Sequence, residues 1–315
     1  MRKEIDRRLL VHHTCLMFFC DDTGHEDFRD QNYQVFGIGG CGIMAGAIDP
    51  VLKQPWRAMK AAHFGGSDVL LHASELRNPT QSQFDALNRF FREQEFCRFG
   101  VTITPTCKLP TGVTAYHAVS RSLRKRWEEL TPRFSPTPTE VAFIFEASQR
   151  GDALVQRYFS DIVVTIAGAQ VPIHLGIMPK GAGDEALEVA DFIVHTAGTQ
   201  ARNWDTGDKR RFRRDFEAMF HANALWSSFS AIECSLILKP ASASRPSGAW
   251  NDDDVDVLAN GVVVGRIMKA AAAPVDQPWM WTLAFGHHED RTPTHGYEAT
   301  REAAMAAFAK SWPTK

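Results

Sequence analysis

Three carboxylates stand beside apolar runs, where packing alone gives no reason for an acid. Asp21 and Glu146 each follow a run of apolar residues, and Asp191 interrupts a third run. An unpaired buried carboxylate is costly, so acids at the ends of core elements usually hold a cation. Mg²⁺ or Mn²⁺ takes oxygen ligands, and two such ions about 4 Å apart can activate water and stabilise the leaving oxygen of a phosphodiester. The pattern predicts Asp21, Glu146 and Asp191 as metal ligands and catalytic groups.

The same acids also have a purely structural interpretation, which the sequence leaves open. Asp21 opens the sequence Asp-Asp-Thr-Gly, which is typical of a turn. Glu146 is then an acid at a strand end, and Asp191 a helical acid paired with a lysine or arginine.

Strands and helices alternate along the first two thirds of the sequence. The predicted strands span residues 10–20, 34–44, 99–104, 140–145 and 171–178. The predicted helices span residues 50–63, 80–95, 115–130, 151–162, 185–195 and 209–229. This order predicts an α/β sandwich, in which ligands collect at the carboxyl ends of the strands.

The composition changes at residue 239, where a stretch rich in Pro, Ser, Gly and Asp predicts a linker. A hairpin about Asn260-Gly261, a strand at 279–285 and a helix at 298–312 follow, which predicts a small β-β-β-α module. The predicted division is a first domain at 1–238, a linker at 239–254 and a second domain at 255–315.

Composition limits the classes of function. The hydrophobic share of 44% and the charged share of 23% are ordinary for a soluble globular protein. A formal charge of −2 gives no general field for nucleic acid, so such binding must depend on local patches. Residues 1–8 are too charged for the apolar middle of a signal peptide, and no apolar run approaches about 18 residues, so the sequence predicts neither a signal peptide nor a membrane span. The six cysteines include no C-x-x-C pair and are predicted to be reduced thiols of a cytoplasmic protein.

Basic residues could hold a phosphate backbone near the acids. One cluster spans residues 121–126 and a second spans residues 209–214, including Arg210 and Arg211. Lys180 precedes the helix that carries Asp191. Each group can equally be a solvated surface, because basic helix faces are common without a ligand.

A glycine-rich segment at residues 37–42 lacks the Gly-Lys-Ser/Thr ending of a phosphate-binding loop. It also lies within a predicted strand rather than between a strand and a helix. We therefore expect its glycines to permit the close packing of a helix.

Five motifs resemble, in the same order, those of the family catalogued as domain of unknown function 3800. They lie at residues 19–24, 36–40, 71–76, 146–152 and 188–193. The family's Asp-Glu-Ser-Gly sequence corresponds to Asp-Asp-Thr-Gly here, so Asp22 replaces Glu and Thr23 replaces Ser. The similarity covers roughly residues 10 to 200.

The resemblance implies a ribonuclease H-like mixed sheet flanked by helices, to which a small α+β C-terminal domain is added. It implies that Asp21, Glu146 and Asp191 are metal ligands. Asp22, His72 and Glu75 would contact the substrate or support the ligands.

The predicted function is a metal-dependent phosphodiesterase using Mg or Mn, most simply a nuclease acting on RNA or DNA. The alternative is a non-catalytic module on the same fold that binds nucleic acid or protein.

Overall fold

The structure, a computed structural model, describes part of the chain and divides it into two compact units. Described are residues 10–311 apart from 77, 108, 110–112, 148–150, 180–182, 208–211, 223–226, 233–235, 245–250, 252, 260–261 and 284–292. Unit 1 comprises Met1–Pro105 and Ala115–Ala231, and unit 2 comprises Thr106–Thr114 and Ile232–Lys315.

Unit 1 is built on a mixed β-sheet. Its strands are β1 (Cys15–Gly24), β2 (Phe36–Met44), β3 (Cys97–Ile103), β4 (Glu140–Glu146), β5 (Thr165–Ile166), β6 (Ala169–Gln170), β7 (Ile173–Met178) and β8 (Ser227–Ile232). The sheet has the order β7-β4-β1-β2-β3-β8, and β5 and β6 form a separate ribbon. β2 is antiparallel to both of its neighbours, β1 and β3, whereas β4 is parallel to β1 and β7 is parallel to β4.

Helices cover both faces of this sheet. They are α1 (Gln54–His63), α2 (Gln81–Glu93), α3 (Ala115–Leu130), α4 (Gly151–Phe159), α5 (Glu185–Thr206) and the single turn α6 (Arg214–Phe216). α2 begins with a capping box, in which Thr80 and Gln83 exchange side-chain to backbone hydrogen bonds. The predicted α/β class is confirmed, and every predicted element of residues 10–195 is present with shifted ends.

Successive residues of each strand face opposite sides of the sheet, and the two sides meet different helices. Phe19 of β1 and Ile144 of β4 belong to the core that includes α1, α2 and α5. Phe18 and Phe143 face the other way, where their rings pack against Trp127 of α3 at 5.7 and 4.3 Å between centroids. Because side chains alternate between the two faces, these contacts also determine the face on which the later side chains of β1 and β4 lie.

The glycines of β2 allow α5 to lie close to the sheet. A Cβ on Gly39 would stand 3.3 Å from Cβ of Val194, and a Cβ on Gly40 would stand 3.1 Å from Cβ of Ala190. Gly40 also has φ +155°, and its Cβ would collide with the carbonyl oxygen of Phe19. The predicted use of these glycines in close helix packing is confirmed.

A buried ion pair joins α5 to α1. Nζ of Lys60 lies 2.9 Å from Oε2 of Glu188, and the side chains are 2% and 6% exposed. The indole Nε1–H of Trp56 donates to the same oxygen at 2.7 Å. Because the charges are paired and hydrogen-bonded, the pair tolerates burial, but either charge alone would not.

Unit 2 is a five-stranded antiparallel sheet with one long helix, in the part of the chain that is described. Its elements are β9 (Leu236–Pro240), α7 (Ala241–Ser244), β10 (Val255–Ala259), β11 (Val262–Lys269), β12 (Trp279–Leu283), β13 (His295–Glu298) and α8 (Arg301–Ser311). Val257, Ile267, Trp281 and Phe308 lie in its core. The predicted β-β-β-α order is therefore present as β10, β11, β12 and α8, with β9 and β13 added at the edges.

Two predicted segments differ from the structure. The predicted linker at 239–254 is partly structured, because β9 pairs antiparallel with β10 and α7 follows it directly. The predicted helix at 209–229 is confirmed only in part: α6 and the π-helix Glu217–His221 that follows it lie within this range, but β8 begins at Ser227. Phe229 and Ala231 alternate with serines, which is the period of a strand.

The cysteine prediction is partly wrong. Cys15, Cys20, Cys41 and Cys97 are buried free thiols, as expected. Cys107 is disulfide-bonded, and the absence of C-x-x-C spacing could not exclude a pairing between distant residues. None of the described helices has the length and hydropathy needed to cross a membrane.

The Glu188→Ala variant should lose about 3–5 kcal/mol of unfolding free energy, because it leaves the Lys60 charge buried without its partner. The matched control is Glu129→Ala, which breaks the exposed pair between Arg126 and Glu129 and should cost at most about 1 kcal/mol. Urea denaturation measures both values. Equal losses in the two variants would show that the buried pair does not stabilise α5.

Candidate functional site

Strand register places Asp21 and Glu146 at one level of the sheet. The parallel pairing of β1 with β4 ends at Cys20 opposite Phe145, so the next residue of each strand is an acid. Asp21 shares the parity of Phe19, and Glu146 shares that of Ile144, which puts both acids on the α5 side. The sequence placed Asp21 at a strand end, but β1 continues to Gly24 in its pairing with β2. Asp21 therefore lies on a rigid strand, at the point where β4 separates from it.

Asp191 reaches the same region from α5. The backbone N–H of Ala73 donates to its Oδ2 at 2.8 Å, and Nδ1 of His72 lies 3.7 Å from that oxygen. The chain turns tightly at this point, since the amide of Glu75 donates to the carbonyl oxygen of His72 at 3.1 Å. The short motif at residues 71–76 thus fixes the carboxylate orientation of Asp191.

One cavity of about 740 Å³ collects the predicted side chains. Its lining includes six predicted residues: Asp21, Asp22, His72, Glu75, Glu146 and Asp191. The three predicted cations Lys180, Arg210 and Arg211 lie outside the described residues. Strand alternation favoured opposite directions for Asp21 and Asp22, yet both border this cavity.

The electrostatics of the site are seen in the pKa of the Asp21 carboxyl group. Its pKa is raised well above the usual range, first because the carboxyl group is desolvated and then because Asp191, Asp22 and Glu146 are negatively charged. The backbone amide of Asp22 donates to Oδ1 of Asp21 at 2.8 Å, which opposes the rise only in part. Among the described residues that line this cavity, the six carboxylates outnumber the three histidines.

The three acids are not the candidate group of clustered ligands among the described residues. Among the described residues, the one group of three possible ligands whose atoms all lie within 4.8 Å of one another is His25, Glu26 and Asp27. Asp21, Glu146 and Asp191 are not part of this group. Two ions that divide the ligands between them need no single point of convergence.

The His25 group lies in the connection that follows β1, and His25 also borders the cavity. The amide of Asp27 donates to Nδ1 of His25 at 3.1 Å, and Arg29 pairs with Asp27 at 2.6 Å. The ring nitrogen and one carboxylate are therefore already engaged within the chain. In the sequence these are three consecutive residues of types that bind metals, and they were not predicted as ligands.

His195 and Tyr33 are further cavity residues that the sequence did not reveal. Their rings stack at 5.5 Å between centroids with an interplanar angle of 8°. The Tyr33 hydroxyl donates to the carbonyl oxygen of His195 at 3.2 Å. Burial, followed by the charge of Arg213, lowers the pKa of His195. His195 is one helical turn beyond Asp191, a spacing that would have placed it on the same face of α5.

The Asp21→Asn variant should be increasingly more stable than the wild type as the pH rises above about 4 in the presence of EDTA. Because the folded-state pKa of Asp21 is raised, the stability contributed by its proton is complete below the unfolded pKa and is lost as the pH rises through the folded pKa. Urea denaturation between pH 4 and 8 measures the difference. The control is Asp85→Asn on the exposed side of α2, where the rise should be much smaller. A difference between Asp21→Asn and the wild type that does not change with pH would contradict the electrostatic description.

The chain was also compared with known proteins. No family model, no curated protein and no solved structure matches it. The resemblance to the domain of unknown function 3800 family therefore stays a prediction based on short motifs.

Proposed function

We propose that unit 1 is a metal-dependent phosphodiesterase, most simply a nuclease, that uses Mg²⁺ or Mn²⁺. The observation that carries this proposal is the desolvated carboxyl group of Asp21, which borders one cavity with Asp191, Asp22 and Glu146. Carboxylates that repel one another in a protein interior are unfavourable unless a bound cation neutralises them. These oxygen donors are of the type that binds a divalent cation such as Mg²⁺ or Mn²⁺.

The strand order supports the ribonuclease H-like fold that we propose for unit 1. Three antiparallel strands are followed by β4 and β7, which are parallel to β1 on its other side. The acids come from two adjacent central strands and from the helix that packs over them. This placement is consistent with a metal site on a fold of that class.

The residues of the chain have separable roles in this proposal. When bound, the metal would polarise the phosphate and lower the pKa of a water molecule. Asp21, Glu146 and Asp191 would hold it, and the amide of Ala73 would keep Asp191 in position. The cavity of about 740 Å³ is open enough for a nucleotide unit of a longer chain.

His195 is the proton acceptor that we propose for the reaction. Its lowered pKa keeps the imidazole neutral at neutral pH, so it can accept a proton from an attacking water. Tyr33 holds the ring by stacking against it. Glu75 and His72 border the same cavity and would contact the substrate.

The alternative is a non-catalytic module that binds nucleic acid or protein. It is favoured by the fact that, among the described residues, the clustered group of possible metal ligands is His25, Glu26 and Asp27 and not the three predicted acids. Such a module would bind its partner equally well without divalent ions and after the loss of Asp191.

The wild type should hydrolyse bis(p-nitrophenyl) phosphate or labelled oligonucleotides with Mg²⁺ or Mn²⁺, and Asp191→Asn should reduce the rate about 100-fold or more. The substitution keeps the size of the side chain and removes the charge that would hold the cation. Asp85→Asn is the matched control and should keep the wild-type rate. Equal rates in Asp191→Asn and the wild type, or no metal-dependent hydrolysis at all, would contradict the proposal.

Mn²⁺ should raise the melting temperature of the wild type, and the increase should be larger at pH 8 than at pH 6. A ligand of the folded state stabilises it by mass action, and the raised pKa of Asp21 means that protons compete with the metal for this carboxylate. Differential scanning fluorimetry measures the shift. Asp21→Asn should remove most of the shift, whereas Asp27→Asn, in the His25 group, should retain it. The opposite result would show that the metal binds at the His25 group instead.

A further inference from the structure

A second cavity, of about 590 Å³, lies between α3 and α4. These helices pack on the face of the sheet opposite α5, where Trp127 of α3 contacts Phe18 and Phe159. Neither helix carries any of the three proposed metal ligands. The cavity is therefore separate from the carboxylates of Asp21, Glu146 and Asp191.

Cations dominate the lining of this cavity. Arg121, Arg124, Lys125 and Arg157 border it, against the carboxylates of Glu128 and Asp161. Arg124 pairs with Asp161 at 3.0 Å. Within the described part of the chain, Arg121, Lys125 and Arg157 have no carboxylate within 4 Å. The cavity thus has more positive charge than its own acids neutralise.

Ser120 provides an independent sign of a missing ligand. Its side chain is 2% exposed and borders the cavity. Its Oγ has no hydrogen-bond partner among the described residues. A buried hydroxyl without a partner costs free energy, so such a group marks a place where a ligand atom would complete the structure.

The aromatic wall of the cavity indicates the type of ligand. The rings of His117 and Tyr158 are stacked at 5.4 Å between centroids and 28°. The guanidinium group of Arg157 lies 5.4 Å from the centroid of Tyr158. Stacked aromatic groups beside cations are the combination that binds a base and its phosphate together.

We propose that this cavity binds a nucleotide unit, with its phosphate held by Arg121, Lys125 and the Ser120 hydroxyl and its base against the His117–Tyr158 wall. The unit comes either from a free nucleotide or from a single-stranded nucleic acid, which share this chemistry. The proposal does not depend on hydrolysis at the carboxylate cavity, since the two cavities have no lining residue in common.

The experiment uses the full chain in EDTA, with fluorescence anisotropy of a labelled 15-nucleotide oligouridylate and calorimetry with uridine 5′-monophosphate. The Arg121→Gln/Lys125→Gln variant should weaken oligonucleotide binding about 25-fold at 0.1 M salt and reduce the salt slope by about 1.4, since each neutralised contact accounts for about 0.7 on single strands. The matched control is Arg126→Gln/Arg133→Gln, which removes the same charge from residues outside the cavity. This control should change the affinity less than twofold.

Ser120→Ala should weaken binding about fivefold or more without changing the salt slope, because the hydroxyl carries no charge. Asp191→Ala should bind like the wild type, which separates this result from the proposed hydrolysis. Binding of the oligonucleotide alone supports a single-stranded source, and comparable binding of the monophosphate supports a free nucleotide.

Three results would overturn the proposal. The first is the absence of binding for both probes at 50 mM salt. The second is equal weakening in the cavity variant and its control, which would show a diffuse surface charge. The third is wild-type affinity in Ser120→Ala.

Discussion

The close approach of α5 to the sheet is the constraint on which the candidate site depends. β2 offers glycines where any side chain would hold the helix away, and Gly40 adopts a backbone conformation that only glycine tolerates without strain. Ala190 then lies directly over the sheet, and Asp191 follows it toward the cavity that Asp21 borders. A helix held farther out would separate these two acids and reduce the charge coupling that raises the pKa of Asp21. Glu188 also holds α5 against α1 through its ion pair with Lys60.

The fold therefore places the carboxyl group of Asp21 near other acids, which repel its charged form. The close packing of α5 on β2 keeps Asp191 beside the cavity that Asp21 borders. A divalent cation would convert this repulsion into binding free energy, and protons compete for the same oxygens. The cavity between α3 and α4 has the opposite character, since its cations exceed its acids. Ser120, which borders it, has a buried hydroxyl without a hydrogen-bond partner among the described residues. One sheet thus carries an acidic cavity on one face and a basic cavity on the other.

The sequence predicted the elements of unit 1 well where hydrophobic periodicity was strong. Asp21, Glu146 and Asp191, which it assigned to one site, border one cavity in the structure. Local patterns could not show that β1 continues past Asp21, because that extension comes from pairing with β2. They likewise could not show the edge strand β9, which pairs with β10 across a polar stretch that has the composition of a linker. The spacing of His195 from Asp191 could have placed it on the same face of α5, but its contact with Tyr33 joins residues far apart in the chain and could not be predicted from local patterns.

Anomalous scattering from a crystal grown with Mn²⁺ tests the central claim most directly. The account predicts a peak about 2.1 Å from carboxylate oxygens of Asp21 and Asp191, with Glu146 close enough to ligate the same ion or its neighbour. A peak confined to His25, Glu26 and Asp27, or no peak in the cavity at saturating Mn²⁺, would contradict it.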